Sequence, residues 1–497
     1  MSQHAESGTL ATAPQLITYA DRLGGTIAGL HDLLSGPLEG AFGGVHLLPF
    51  YRTFDGADAG FDPEDHTCVD ARLGTWDDVR ALSRDRVVMA DVIVNHMSSA
   101  SAQFQDVLAR GDASPYAGMF LTMSTVFPDG ATEEDLLGIY RPRPGLPFTA
   151  LRLGDQRRLV WTTFTEQQID LDIHHPATWT YLSTVVDRLT GAGVRLLRLD
   201  AVGYAGKRAG TDCFLTEDCM RFIRRIRDHA RARGAEVLVE VHGHYRQQLE
   251  IARSVDHVYD FALPPLVLHA LHAGDPVPLH NWLAVRPGNS FTVLDTHDGI
   301  GIVDVGPSVL RPGEEGLLTE DQIDKLVEAI HTASGGGSRA ATGAAASNLD
   351  LYQVNCTFYD ALGADDDRYL LARMIQLFVP GTPQIYYVGL LAGRNDLDLL
   401  ARTGVGRDVN RHRFTAGEIT SALRRPLVKS LLAALRFRAA HPAFGGAFTH
   451  RTEGTTIELR WQLGEHEAVL SADVATSAFT VEASGPDRLA LRSGSAA

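Results

Sequence analysis

Lysine is nearly missing from these 497 residues. Only Lys207, Lys325 and Lys429 occur, which leaves 42 arginines among the 45 basic side chains. Chemistry that needs a Schiff-base or phosphate-binding lysine therefore has few candidates. Cysteine is also scarce. Cys68, Cys213, Cys219 and Cys356 form no C-x-x-C pair, which argues against a zinc site. They read as reduced, mostly buried thiols. No run of about 18 apolar residues exists, so no membrane span is expected. The stretch from Met1 to Pro14 has no basic segment followed by an apolar run, so no secretory signal is expected and the cytoplasm is the default location. Positive charge is in deficit: 45 basic against 61 acidic side chains give −16. Such a chain is a poor partner for nucleic acid or an anionic membrane. The Gly335–Gly337 run lacks a following Gly-Lys-Ser/Thr and is no P-loop.

The rest of the composition is that of a globular protein, with 44 % hydrophobic and 21 % charged residues. The length exceeds one ordinary domain and suggests a large domain with insertions or satellites. Eight short apolar runs are bounded by turn residues, at 16–19, 44–50, 87–94, 194–199, 237–241, 258–262, 291–294 and 383–388. Helical patterns lie between most of them, among them 176–191, 217–233, 321–332 and 365–377. Eight buried strands with intervening helices predict an α/β fold, a (β/α)8 TIM barrel. A doubly wound open sheet is the alternative.

The spacing divides the chain further. Residues 1–14 read as a flexible N-terminus, and the barrel as 15–94, 177–298 and 364–440. Residues 95–176 are too many for one crossover and read as an insertion domain, with a short aromatic strand signal at 159–164. A second insertion, 299–363, carries Ser334–Ser338 and an alanine-rich run that read as mobile loop. Residues 441–497 alternate apolar and polar and predict a small C-terminal β domain with a loose end from 486.

Barrel enzymes work at the C-terminal ends of their strands. There the chain places Asn95 and His96, then Asp200, then Glu240 and His242, then Asp295, His297 and Asp298. A single acid at a strand end is usually a helix cap. Three that converge, with histidines and Arg198, suit glycosyl transfer. One ionised carboxylate attacks the anomeric carbon and a second, protonated one serves the leaving oxygen. Arg198, two residues before Asp200, would hold it ionised.

Four segments carry a family likeness: Asp91-Val-Ile-Val-Asn-His96, Gly193-Val-Arg-Leu-Leu-Arg-Leu-Asp-Ala-Val-Gly203, Glu240-Val-His242 and Phe291-Thr-Val-Leu-Asp-Thr-His-Asp298. In this order they resemble the signature blocks of the α-amylase superfamily, glycoside hydrolase family 13. Residues 15–24, 54–62, 138–148, 344–353 and 406–412 resemble its sucrose phosphorylase branch. The resemblance implies Asp200 as nucleophile, Glu240 as general acid and base, and Asp298 as transition-state stabiliser. It implies that Asp58, His96, Arg198, His297 and Arg407 grip a glucosyl ring on a platform of Phe61 and Phe164. His242 joins the binding residues, and Tyr140, Arg143, Leu349, Asp350, Tyr352 and Gln353 fall on two mobile acceptor loops.

The resemblance implies reversible, retaining phosphorolysis of sucrose by inorganic phosphate to α-D-glucose 1-phosphate and fructose. No cofactor and no metal are expected, because the insertion shows no obvious Asp/Asn cluster at its base for the calcium of typical α-amylases. Retention asks for the two carboxyl groups about 5–5.5 Å apart. Phosphate needs local positive charge, which Arg143 can supply. Without the resemblance, Arg143 reads as a solvated loop charge, Phe61 and Phe164 as core aromatics, and His96 as either a satisfied core histidine or a ligand contact. Gly243-His244 stands where bulkier groups are common in the branch and touches the outer wall of the site. Residues up to Ala13 have no assigned counterpart. The rivals are phosphorylases of sucrose 6′-phosphate, glucosylglycerol or glucosylglycerate, a plain hydrolase or transglucosidase, and a catalytically dead interaction module. The oligomeric state is open, a homodimer included.

Overall fold

A parallel strand buries both faces, so its sequence must be apolar almost throughout. The computed structural model of the chain describes residues 13–56, 58–141, 145–343, 353–484 and Arg492, and it places every one of the eight apolar runs in such a strand. They are β1 (Gln15–Thr18), β2 (Gly44–Leu47), β3 (Val87–Ile93), β4 (Leu196–Asp200), β5 (Glu236–Val239), β6 (His257–Asp260), β7 (Ser290–Thr292) and β8 (Thr382–Tyr386). Each strand pairs with its neighbours in chain order. β8 closes on β1, with Gln15 opposite Gln384, so the sheet is a barrel and not an open sheet.

The helices form where capping chemistry allows. α1 (Pro176–Gly191) starts on a proline preorganised for the first helical position. α2 (Glu217–Arg231) is capped by the Thr216 hydroxyl and buries Cys219, Phe222, Ile223, Ile226 and Ala230, one helical stripe, against the barrel. α3 (Glu320–Ala333) begins with a Thr319/Gln322 capping box, and α4 (Asp366–Phe378) with Asp365 as cap.

Between β3 and β4 lie two small antiparallel pairs, His96–Ser98 with Gln168–Asp170 and Phe148–Leu153 with Gln156–Trp161. This segment packs a core of its own around Met97, Phe104, Phe120 and Ile169. The aromatic strand expected at 159–164 starts earlier and ends at Trp161, because it pairs along the full length of Phe148–Leu153. Phe164 falls in the loop beyond.

Between β7 and β8, Ile300–Gly301 pairs with Gln353–Val354. Here one expectation is corrected. Part of the glycine- and alanine-rich run is a helix, Gly337–Thr342, and not a loop. Gly335 and Gly336 take positive φ to make the turn, and Ser338 Oγ meets His331 Nδ1 at 2.7 Å to tie the helix to α3. The rest of that run, 344–352, lies outside the described residues.

The tail forms a four-stranded antiparallel sheet, β9 (Ala447–Glu453), β10 (Thr456–Leu463), β11 (His466–Asp473) and β12 (Ala478–Ala483). Ile457, Leu459 and Trp461 alternate inward on β10, and the Trp461 indole donates to Phe378 O on α4 at 2.6 Å. The loose end expected from 486 lies outside the described residues, Arg492 excepted. No helix among the described residues is long and apolar enough to cross a membrane.

Gly381 leads into β8 with φ +113°, and a Cβ there would stand 2.4 Å from Ser290 O on β7. Gly381→Ala should cost about 1–3 kcal/mol, read from urea denaturation midpoints.

Candidate active site

Side chains alternate along a strand, so Arg198 and Asp200 share one face of β4. Register sets Arg198 opposite Asp91 on β3. The Arg198 Nη1 donates to Asp91 Oδ1 and to Asp200 Oδ1, both at 2.6 Å, and Nη2 lies 3.9 Å from Glu240 Oε2 at the end of β5. On the far side, His46 Nε2 of β2 meets Asp91 Oδ2 at 2.9 Å. Four adjacent strands are thus joined by one buried polar chain. Arg198 is only 2 % exposed, and a charge so buried is tolerated only when paired. Burial works against its cationic form, but Asp91, Asp200 and Glu240 hold the guanidinium charged. Burial pushes Asp91 up, and His46 and Arg198 overcome it, bringing its carboxyl to about 2.

Asp200 behaves differently. Burial pushes its carboxyl well above the usual range, Arg198 pulls it down, and Glu240 and Asp91 push it up again. The arginine alone therefore does not set its ionisation, contrary to the simplest reading of the sequence. Burial and two neighbouring carboxyls act on it against one guanidinium. The next residue, Ala201, has φ 52° without being glycine, and its N–H donates to Glu240 Oε2 at 2.9 Å. A strained backbone at this point aims a donor into the site.

Opposite stands Asp298. Burial would raise its carboxyl, but Arg407, His297 and Arg411 hold it far below the ordinary carboxylate range. Arg407 Nη1 is 2.8 Å from Asp298 Oδ1 and 3.9 Å from Asp58 Oδ2, and Arg411 Nη2 is 3.6 Å from Asp58 Oδ1. Arg411 also donates through Nε to His297 O at 3.0 Å. His297 is pushed down to about 3, by burial first, so it is neutral. It stacks on Phe61 at 4.5 Å. Its buried Nδ1 has no hydrogen-bond partner among the described residues, a vacancy suited to a substrate hydroxyl.

The remaining wall is aromatic. His96 packs edge-on to Phe164, and Phe164 edge-on to Tyr204. His96 Nε2 lies 2.9 Å from Phe61 O, with Gln168 Nε2 3.0 Å away, and burial lowers the ring's pKa. His242 Nε2 reaches to 3.6 Å from Glu240 Oε1 and 3.3 Å from the Gln353 amide.

One pocket brings together Asp58, Phe61, His96, Phe164, Asp200, Glu240, His242, His297, Asp298, Gln353 and Arg407, all expected from the sequence. Arg198 lies beneath it. Tyr140 stands one layer back, stacked on Tyr204 with an interplanar angle of 2°. Arg143, Leu349, Asp350 and Tyr352 lie outside the described residues. His244 is buried and faces Glu315 O at 3.0 Å, so it backs the wall and does not line the pocket.

Sequence reasoning missed Gln168, Ala201, Tyr204, Asp91, Arg411 and Asp304. Asp91, Ala201 and Arg411 had a readable signal, since they lie in segments 91–96, 193–203 and 406–412 that carry the family likeness; Gln168, Tyr204 and Asp304 carry none outside the fold. It also missed a cluster at the base of the insertion. Asn95 Oδ1 and Asp170 Oδ2 do converge there, and they hold the Lys207 ammonium at 2.6 and 2.5 Å, with Tyr204 O as a third acceptor. Glu240, His242 and Asp298 bring ligand-type atoms within 4.8 Å of one another, but Arg198 and Arg407 already stand as the cations beside these two carboxylates.

Residues 20–251 match the family described as alpha amylase, catalytic domain. The chain is 56 % identical over 475 residues to a sucrose phosphorylase of Agrobacterium vitis, covering 95 % of this chain and 97 % of that protein. It is 54 % identical over 459 residues to a sucrose phosphorylase of Bifidobacterium adolescentis, covering 92 % and 91 %. The crystal structure of a sucrose 6F-phosphate phosphorylase from Thermoanaerobacter thermosaccharolyticum superposes with a TM-score of 0.89 at 34 % identity, over 97 % of each chain.

Replacing Arg198 by glutamine leaves Asp91 and Asp200 without their shared cation. Denaturation should show a loss of about 3–5 kcal/mol. Without the cation the Asp200 carboxyl rises further, so the acid limb of kcat/KM should move to higher pH; a limb that stays in place would count against the clamp.

Proposed function

We infer from the sucrose phosphorylase family, to which this chain belongs as an alpha-amylase-type protein, that it transfers the glucosyl group of sucrose to inorganic phosphate and back, with retention. The observation that carries the reading is the convergence of Asp200, Glu240 and Asp298 on one pocket above a single buried arginine.

The residues divide the work by environment. Retention requires Asp200 to act as the carboxylate and Glu240 as the acid, and the 2.6 Å hydrogen bond from Arg198 favours the charge on Asp200. Asp200 Oδ attacks the anomeric carbon, the bond to the fructose oxygen breaks, and the Glu240 proton passes to that oxygen. A phosphate oxygen then attacks the same carbon, the ester to Asp200 breaks, and Glu240 takes the proton from the incoming phosphate. Two inversions give retention. Asp298, kept ionised by Arg407, faces the positive charge that builds on the ring in the transition state.

Asp58 and Arg407 meet hydroxyls on one side of the glucosyl ring, and His96 and His297 those on the other. Both histidines are neutral, so each can donate or accept without adding charge. Phe61 and Phe164 offer apolar faces. Arg143, Leu349, Asp350, Tyr352 and Gln353 belong to the acceptor side, with Tyr140 supporting it through Tyr204. The reading places the enzyme in the reducing cytoplasm, in keeping with four unpaired thiols, and leaves a homodimer open to measurement.

Incubation with sucrose and phosphate should yield glucose 1-phosphate and fructose. Free glucose alone would point to a hydrolase. Product only from sucrose 6′-phosphate, glucosylglycerol or glucosylglycerate would point to those phosphorylases. Asp200→Asn should lower kcat about 10⁴-fold while the protein stays folded, and Glu240→Gln about 10²- to 10⁴-fold. Substantial residual turnover in Asp200→Asn would overturn the nucleophile assignment.

A further inference from the structure

A second cavity, of about 470 Å³, lies behind the donor side of the active pocket, and the two share no lining residue. Arg411 stands between them. It lines the second cavity, while its Nε donates to His297 O and its Nη2 faces Asp58 Oδ1, both residues of the active pocket.

Three guanidiniums line this cavity without a full partner. Arg411 is 2 % exposed. Asp58 and Asp408 each stand 3.6 Å from it, beyond hydrogen-bond reach, and its buried Nη2 has no hydrogen-bond partner among the described residues. Arg22 follows β1 and is half-buried. It donates through Nη1 to Arg411 O at 3.0 Å and lies over the Tyr19 ring at 4.1 Å. Arg402 is the third, exposed near the end of the helix Leu397–Thr403. Among the described residues no carboxylate pairs with Arg22 or with Arg402.

The carboxylates of the cavity are engaged elsewhere. Asp55 takes both Nη groups of Arg72 at 2.6 Å. Asp396 meets His412 Nδ1 at 2.6 Å and accepts from the Leu399 N–H at 2.8 Å. Asp408 is left, and its one cation is Arg411 at 3.6 Å. Arg413, the remaining cation of the lining, is paired with Asp21. Burial foremost works against the charge on Arg22, and so does Arg411 beside it; Tyr387 and Tyr19 favour the charge and raise its pKa. Both phenols have raised pKa values themselves and are neutral at pH 7, so no anion balances the two adjacent guanidiniums.

Resting for its ligand on the phosphorylase reading above, we propose that this cavity is a second site for a phosphate group, separate from the acceptor site. In a chain of net charge −16, a cavity whose free charged groups are guanidiniums selects anions. The forked N–H donors of arginine match phosphate oxygens, whereas a neutral sugar would leave the charges of Arg22 and Arg411 unbalanced. The volume admits inorganic phosphate or its glucose ester.

Inorganic phosphate should be titrated calorimetrically into Asp200→Asn saturated with sucrose, which fills the active pocket without turnover, at constant ionic strength and with chloride for comparison. One equivalent should bind. Adding Arg402→Gln, at an exposed position that the fold does not depend on, should weaken binding about 10-fold, and Arg22→Gln at least as much. No phosphate binding to the sucrose-filled protein, equally tight binding of chloride, or binding unchanged by both arginine substitutions would overturn the proposal. Glucose 1-phosphate used in place of phosphate separates the two sources: binding of the ester supports a site that takes the phosphate group in either form, and its exclusion supports a site for the free ion. Wild type that makes no glucose 1-phosphate from sucrose would overturn the phosphorylase reading. The phosphate titration, run on sucrose-free wild type against Arg402→Gln, then still decides this site.

Discussion

A buried guanidinium with too many carboxylates around it organises this protein. Arg198 sits beneath the pocket between Asp91 and Asp200, with Glu240 within reach. Its desolvation is repaid only if those partners stand at fixed positions, which requires β3, β4 and β5 in the observed register. The barrel therefore does more than enclose a core. Its closure brings opposed charges from adjacent strands into one layer, and the site above inherits that geometry. The strained Ala201 and the glycine at 301 belong to the same constraint, since each lets a polar group approach another more closely than an ordinary backbone or side chain would permit.

Charge is partitioned across the pocket in a way that suits a double displacement. On one side Asp200 and Glu240 stand beside one guanidinium. On the other Asp298 is held ionised by Arg407 and its neighbours. Burial lowers the pKa of His96 and His297 in this pocket, whereas that of His242, beside Glu240, is raised. One residue type is thus shifted in opposite directions, up where Asp304 outweighs burial at His242 and down where burial prevails at His96 and His297.

The scarcity of lysine has a second meaning in the folded chain. Lys207 is one of only three, and its ammonium is spent inside the protein, where Asn95, Asp170 and Tyr204 O surround it. It ties the insertion to the segment that follows β4. No spacing in the sequence announces this, because the three acceptors come from three separate segments.

What the sequence determined by itself was periodic or local. Buried parallel strands must be apolar on both faces, so all eight barrel strands and the alternating strands of the tail were legible, and chemistry at strand ends marked Asp200, Glu240 and Asp298. Caps such as Thr216 and Thr319 marked helix starts. What only the tertiary structure decided was non-local. Asp304 becomes the partner of His242 although 62 positions separate them, and Arg411 meets Asp58 across the chain. The ionisation of Asp200 follows from burial and from Glu240 as much as from the arginine two residues away. Desolvation and charge coupling depend on distances between segments, and a pattern along the chain carries no information about a distance that folding has yet to set.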